Sequence, residues 1–134
     1  MNDDHMKGAV NEHRAAAHFL SKGKQVYWPA CQQGVTDFVV EDEAGFHRVQ
    51  VKTATWNRAA GPNHYLQCRT RLGSTKKYAD PRPGDLYDIF FVVSNDTAWI
   101  IPAKEITSSN ISLQVREPDG SVRDQLWSQY KTPL

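Results

Sequence analysis

An aspartate at position 37 and the alternating run Arg48, Val49, Gln50, Val51, Lys52 are the residues of this chain best suited to chemistry. In an extended strand successive side chains point to opposite faces, so Arg48, Gln50 and Lys52 share one side while Val49 and Val51 share the other. One face is for burial and the other is free for polar work. An oxygen donor two residues before a lysine, beside a carboxylate from a neighbouring strand, can hold a hard divalent cation and set an ammonium next to it. Hydrolysis of a phosphodiester calls for that combination. A lysine on an alternating strand is also what an ordinary solvated face looks like, so the context has to decide.

Asp37 stands in Gln33 to Val40, where a turn leads into an apolar β-branched run. A carboxylate at the start of a buried strand is either a turn cap or a ligand. Glu12 is the third member. Lys7 to Leu20 reads as a helix rich in alanine, with Gly23 as its C-terminal stop. At about 100° per residue, Glu12 falls in the arc of Ala9, Ala15, Ala16, Phe19 and Leu20. Glutamate is rarely buried unless it is paired or bound to a cation, which favours a functional role over a snorkelling stem.

The elements around these residues follow from punctuation and period. Trp56 to Asn63 carries turn residues and reads as an exposed loop. His64 to Arg71 alternates as a strand with Tyr65, Gln67, Arg69 and Arg71 on one side. Ser74 to Asp85 is a short helical or irregular stretch ended by prolines. Leu86 to Val93 is a strongly apolar strand interrupted by Asp88, Ser94 to Asp96 a tight turn, and Thr97 to Ile101 an antiparallel partner. A short helix opens at Pro102, Ile111 to Arg116 is a strand, and Gln125 to Tyr130 a short helix. Trp127 and Tyr130 are expected to pack on the core.

The order helix glutamate, strand aspartate, then Gln-x-Lys resembles the site of the PD-(D/E)XK nuclease superfamily, and in particular its small homing endonucleases and related phage or bacterial proteins, in which glutamine replaces the second acid. The resemblance extends through Gly34 to Val40, Lys77-Tyr78, Asp85 to Val93, Ala98 to Pro102 and Lys104 to Ile106. It implies an α/β fold, a mixed central β-sheet flanked by helices in a restriction-endonuclease-like core. It also implies catalytic residues Glu12, Asp37, Gln50 and Lys52. Asp37, Gln50, the main chain at Val51, and Glu12 directly or through water are then the ligands of Mg²⁺, for which Mn²⁺ can substitute. Lys77 and Tyr78 would contact the phosphate nearest the metal, and Asp88 would support the fold. Thr36 stands where proline is usual. Glutamine at 50 brings no charge, so the metal is held less tightly and a second metal less readily.

Composition is that of one small domain: 134 residues, 40% hydrophobic, with a net charge of +1. The expected organisation is a frayed terminus over 1–6, a nuclease core over 7–107 and a strand and helix extension of the same domain over 108–134. No apolar run approaches a membrane span and no leader is recognised, so a cytoplasmic protein is expected. Cys31 and Cys68 have no metal-type spacing and read as reduced thiols. The small net charge hides an asymmetry. Lys52 to Arg82 holds seven basic residues against one acid, the footprint of phosphate binding as well as a pattern that a solvated loop can show. Arg58, Tyr65, Gln67, Arg69, Arg71, Lys76, Lys77 and Tyr78 are the candidate contacts to double-stranded DNA, since arginine and glutamine read base edges and a two-stranded ribbon fits the major groove. A chain of this size needs a second copy to cut both strands, so a homodimer or tetramer is expected. Two alternatives remain on sequence grounds. One is a Holliday-junction resolvase or repair nuclease, and the other is a DNA-binding module weakened at Gln50.

Overall fold

The computed structural model describes residues 3–31, 34–57, 63–70 and 82–134. Its main layer is a six-stranded mixed sheet ordered β1-β2-β3-β6-β7-β10, formed by β1 (Gln25–Tyr27), β2 (Phe38–Asp42), β3 (Gly45–Thr53), β6 (Ile89–Ser94), β7 (Thr97–Pro102) and β10 (Lys131–Pro133). A second, antiparallel sheet is ordered β4-β5-β8-β9, from β4 (Thr55–Asn57), β5 (His64–Arg69), β8 (Asn110–Arg116) and β9 (Val122–Asp124). Helix α1 (Asp3–Ser21) leads the chain, and α2 (Pro83–Leu86) is a single turn.

The two faces of the main sheet carry two cores. Phe91, Val93, Ala98, Val49, Val51, Phe38 and Val40 meet Ala15, Ala16 and Phe19 of α1. On the other face Phe90, Val92, Trp99 and Ile101 meet Leu66, Cys68, Ile111 and Leu113 of the second sheet. A strand buried on both faces has no polar side to show, which is why β6 reads Ile-Phe-Phe-Val-Val without alternation. Phe19 joins Phe38 and Phe91 edge to face, at ring-centroid distances of 6.0 Å and 5.6 Å. Its truncation to alanine costs about 3–5 kcal/mol, the usual range for a buried aromatic.

The strand pairing places the chemistry. The β2–β3 hairpin pairs Phe38 with Val49, setting Asp37 against the middle of β3, and the Asp37 N–H donates to the Val49 carbonyl at 2.8 Å. β3 then pairs parallel with β6, Gln50 opposite Phe90 and Lys52 opposite Val92. A parallel pair needs a long crossover, and residues 54–88 supply it, carrying β4, β5 and α2 to the far face of the sheet.

Several expectations are corrected. The helix begins at Asp3, so residues 3–6 are helical and not frayed; Asp3 and Asp4 in the first turn suit the positive end of the helix dipole. Residues 55–57, expected to fall in or beside an exposed loop, form β4 on β5 because the second sheet supplies a partner edge. The apolar strand starts at Ile89, since Pro83 to Leu86 take a helical turn first. Only Ser128–Tyr130 of the C-terminal stretch is helical, as a 3₁₀ turn, and β10 follows on the edge of the main sheet. One face of the main sheet is covered by α1 and the other by the second sheet. Trp127 and Tyr130 do pack on the core, both cysteines are free, and no described helix is long and apolar enough to cross a membrane.

Candidate functional site

Asp37 is the hub of the candidate site. Its Oδ2 accepts from the Val51 N–H at 2.6 Å and from Gln50 Nε2 at 3.1 Å. The same Gln50 amide nitrogen also donates to the Val51 carbonyl at 3.3 Å. Gln50 is buried, and its Oε1 has no protein hydrogen-bond partner. Buried polar atoms are almost always satisfied, so an orphaned amide oxygen, on a side chain whose nitrogen meets a carboxylate and a main-chain carbonyl, calls for a further group.

Glu12 reaches this cluster from α1. Burial pushes its carboxyl above the ordinary range, and the neighbouring charge of Asp37 pushes it further the same way. Burial also raises Asp37, against the opposing pull of the Val51 N–H and the Lys52 ammonium. Two carboxyls that resist ionising side by side are relieved by a shared proton or by a cation. Among the described residues no three His, Cys, Asp or Glu side chains converge. An all-oxygen set of ordinary ligand number therefore draws on the Gln50 amide and the Val51 carbonyl, and that donor chemistry fits a hard divalent ion rather than a soft one.

Lys52 lies next to this cluster, close enough to act on Asp37 electrostatically, and lines an open groove with Gln67, Arg69 and Asn110. Beside it β5 and β8 pair with an extra residue, Leu113, between Gln114 opposite Leu66 and Ser112 opposite Gln67. Tyr65 and Gln67 are half-buried and Arg69 is exposed, while Leu66 and Cys68 point inward. Gln67 Oε1 accepts from Asn110 Nδ2 at 2.8 Å, so its amide is held in place. Cys68 lines the same groove, and burial pushes its thiol up to about 12, which leaves it protonated and unreactive at neutral pH. Arg58, Arg71, Lys76, Lys77 and Tyr78 lie outside the described residues.

Two residues hold the site together, Asn11, which sequence reasoning passed over, and Arg48, which it placed on the face of Gln50 and Lys52 without a role. Asn11 is buried on α1, one residue from Glu12, and its Nδ2 donates to Thr53 Oγ1 at 2.8 Å, tying the helix to the end of β3. Its signal was the one that singled out Glu12, a polar residue on the arc of Ala15, Ala16 and Phe19. Leu20, placed on that arc by periodicity, is exposed instead, so the buried arc is centred nearer Ala15. Arg48 is the second. Its guanidinium clasps Asp88 through Nη2 to Oδ1 at 3.1 Å and Nε to Oδ2 at 3.2 Å, and its own N–H donates to Oδ2 at 2.7 Å. Asp88 is thereby held below the usual carboxylate range and is spent on joining β3 to β6.

Comparison with known proteins bears on the family and the fold. A family model described as PD-(D/E)XK endonuclease matches residues 2–131. Protein 5.3 of Escherichia phage T7 is 34% identical over 106 residues, which cover 79% of this chain and 86% of that protein. The fold is also that of a solved bacterial homing endonuclease, I-Ssp6803I, with a TM-score of 0.73 over 97% of this chain and 89% of the other, at 20% identity.

Proposed function

Since this chain belongs to the PD-(D/E)XK endonuclease family, we propose that it hydrolyses phosphodiester bonds of double-stranded DNA in a Mg²⁺-dependent reaction, as a site-specific endonuclease of homing or phage-associated type. The observation that carries this reading is the meeting of Asp37, Glu12 and the Gln50 amide, its oxygen left without a partner, beside Lys52. Asp37, Gln50, the Val51 carbonyl and Glu12 would hold Mg²⁺, and Mn²⁺ would serve in its place. When bound, the ion supplies Lewis-acid polarisation of the phosphate and lowers the pKa of a water.

The remaining work belongs to the protein. Asp37 provides the main negative charge and is itself aimed by the Val51 N–H. Lys52 orients the attacking water and offsets the charge that builds on the phosphorane, an interaction strongest in the transition state. Arg69, Gln67 and Asn110 offer the groove's donors to the DNA backbone and base edges. Two copies acting together would cut the two strands.

Selection of cleaved molecules from a randomised duplex library, with Mg²⁺ and with a chelator in parallel, tests the proposal. Metal-dependent enrichment of one sequence supports it. Cleavage confined to four-way junctions identifies a resolvase instead, and binding without cleavage in either metal identifies a DNA-binding module.

A further inference from the structure

Helix α1 has a second apolar face that its own fold leaves uncovered. Met6, Val10, His13, Ala17 and Leu20 recur at alternating intervals of four and three, the spacing that keeps residues on one seam of a helix. At about 100° per residue this seam lies opposite Asn11, Ala15, Ala16 and Phe19, which face the core. Met6 is 52% exposed, Val10 57% and Leu20 55%. A surface helix needs only one apolar stripe, so the second requires its own explanation.

We propose that this face docks a second copy of the chain, the two α1 helices lying antiparallel about a twofold axis at His13. Three features favour that occupant and that direction. The seam is close to self-complementary about His13, for antiparallel pairing brings Met6 opposite Leu20 and sets Val10 within one residue of level with Ala17, large against large at the ends and large against small near the middle. Ala9 and Ala17 leave a shallow depression beside Val10, His13 and Arg14 that a partner's Val10 side chain can fill. Asp3 and Asp4 open the helix, and Lys22 and Lys24 follow its last residue, Ser21, with Lys24 lying 3.6 Å from Asp42. Antiparallel pairing sets acidic ends near basic ones and opposes the helix dipoles, whereas parallel pairing stacks like charges. Trp28, stacked on His13 at a centroid distance of 5.0 Å, widens the seam beyond the helix.

This deepens the reading that two copies act on two strands and rests on it only for its purpose. Glu12 precedes the axis residue by one position, so each copy would bring its own catalytic helix to the dyad. The test uses the full chain without DNA or metal. Sedimentation velocity at micromolar concentration should give twice the 15.2 kDa chain mass, and Val10→Glu should halve it while the circular dichroism spectrum stays unchanged and the melt stays cooperative at a lower midpoint. In a Cys31→Ser background, His13→Cys should form an interchain disulfide on mild oxidation, as only a residue on the axis meets its own copy. A monomeric wild type, a Val10→Glu variant that remains dimeric, or a dimer in which Cys at 13 does not cross-link would each overturn the proposal. An inactive protein that forms the 13–13 cross-link supports the interface and counts only against hydrolysis; an active protein that stays monomeric overturns the interface alone.

Discussion

Gln50 turns its amide nitrogen, not its oxygen, toward Asp37: Nε2 stands 3.1 Å from Asp37 Oδ2 and 3.3 Å from the Val51 carbonyl. Both neighbours are acceptors, so without a cation a donor must stand between them, and the amide supplies it. When a cation takes that place, a half-turn of the same side chain presents oxygen. Glutamine can serve both states, whereas an ionised glutamate can serve only the second.

Gln50→Glu should therefore separate metal affinity from metal-free stability. The variant gains a charged ligand and should bind Mg²⁺ roughly tenfold more tightly, about 1.4 kcal/mol. Without metal, at a pH where both carboxyls are ionised, it faces Asp37 with no donor, and its melting temperature there should fall below wild type. Titration calorimetry and chelator-treated melts check the two halves. Weaker binding of Mg²⁺ would mean that the side chain plays no part in holding the ion.

The raised carboxyls of Glu12 and Asp37 make the metal-free fold sensitive to pH. Both bind protons more tightly folded than unfolded, so their contribution is most favourable below the ordinary carboxylate range and is lost as pH rises through their raised values. Glu12→Gln removes one of the pair and should raise the chelated protein's melting temperature at neutral pH, with the gain vanishing in acid. Mg²⁺ affinity should rise over the same interval as the protons leave. A neutral-pH melt unchanged by Glu12→Gln would show that the two groups do not oppose each other.

Lys52→Ala should slow cleavage on the order of 10²–10³-fold, the usual loss when one transition-state donor is removed. DNA affinity should change little, because the lysine's interaction is strongest with the developing charge. Single-turnover rates and binding isotherms on the same duplex decide it. A proportionate loss of both would make Lys52 a phosphate anchor.

Arg69 is the exposed cation of the groove. Arg69→Ala should lower the slope of log affinity against log salt by about one unit if it meets a phosphate. If it reads a guanine edge, specificity at one base pair should relax by about 1–3 kcal/mol with the slope kept. Titrations across salt and across single-base variants distinguish the two, and no change in either would take the groove out of the DNA path.

Asp88→Asn should weaken the join between β3 and β6 without touching the candidate ligands. The clasp with Arg48 is partly exposed, so its loss is set at about 1 kcal/mol. Asp88 is held below the ordinary carboxylate range, so its contribution is present above that range and disappears as pH falls through it. Denaturant melts of wild type and variant should differ at neutral pH and converge in acid.

The local chemistry was legible in the chain because it depends on short periods. Alternation in β3 put Gln50 and Lys52 on one side, the apolar run of β6 announced a strand, and Asn95 with Asp96 marked the turn before β7. Asp37 before an apolar run, and Glu12 on a helix, could be named as candidates by the cost of burying a lone carboxylate.

What joined them was decided by contacts distant in sequence. That Glu12 meets Asp37 depends on α1 lying across β3, held by Asn11 to Thr53 over 42 residues. The β4 strand, whose span had read as part of a loop, exists because β5 offers it an edge, and β10 because β7 does; three-residue strands have too little pattern to declare themselves. The groove beside Lys52 needs Arg69 and Asn110, brought together by the pairing of β5 and β8. The orientation of the Gln50 amide was beyond any pattern, since it is chosen by which acceptors surround it, and only the assembled sheet brings the Asp37 carboxylate and the Val51 carbonyl to the same nitrogen.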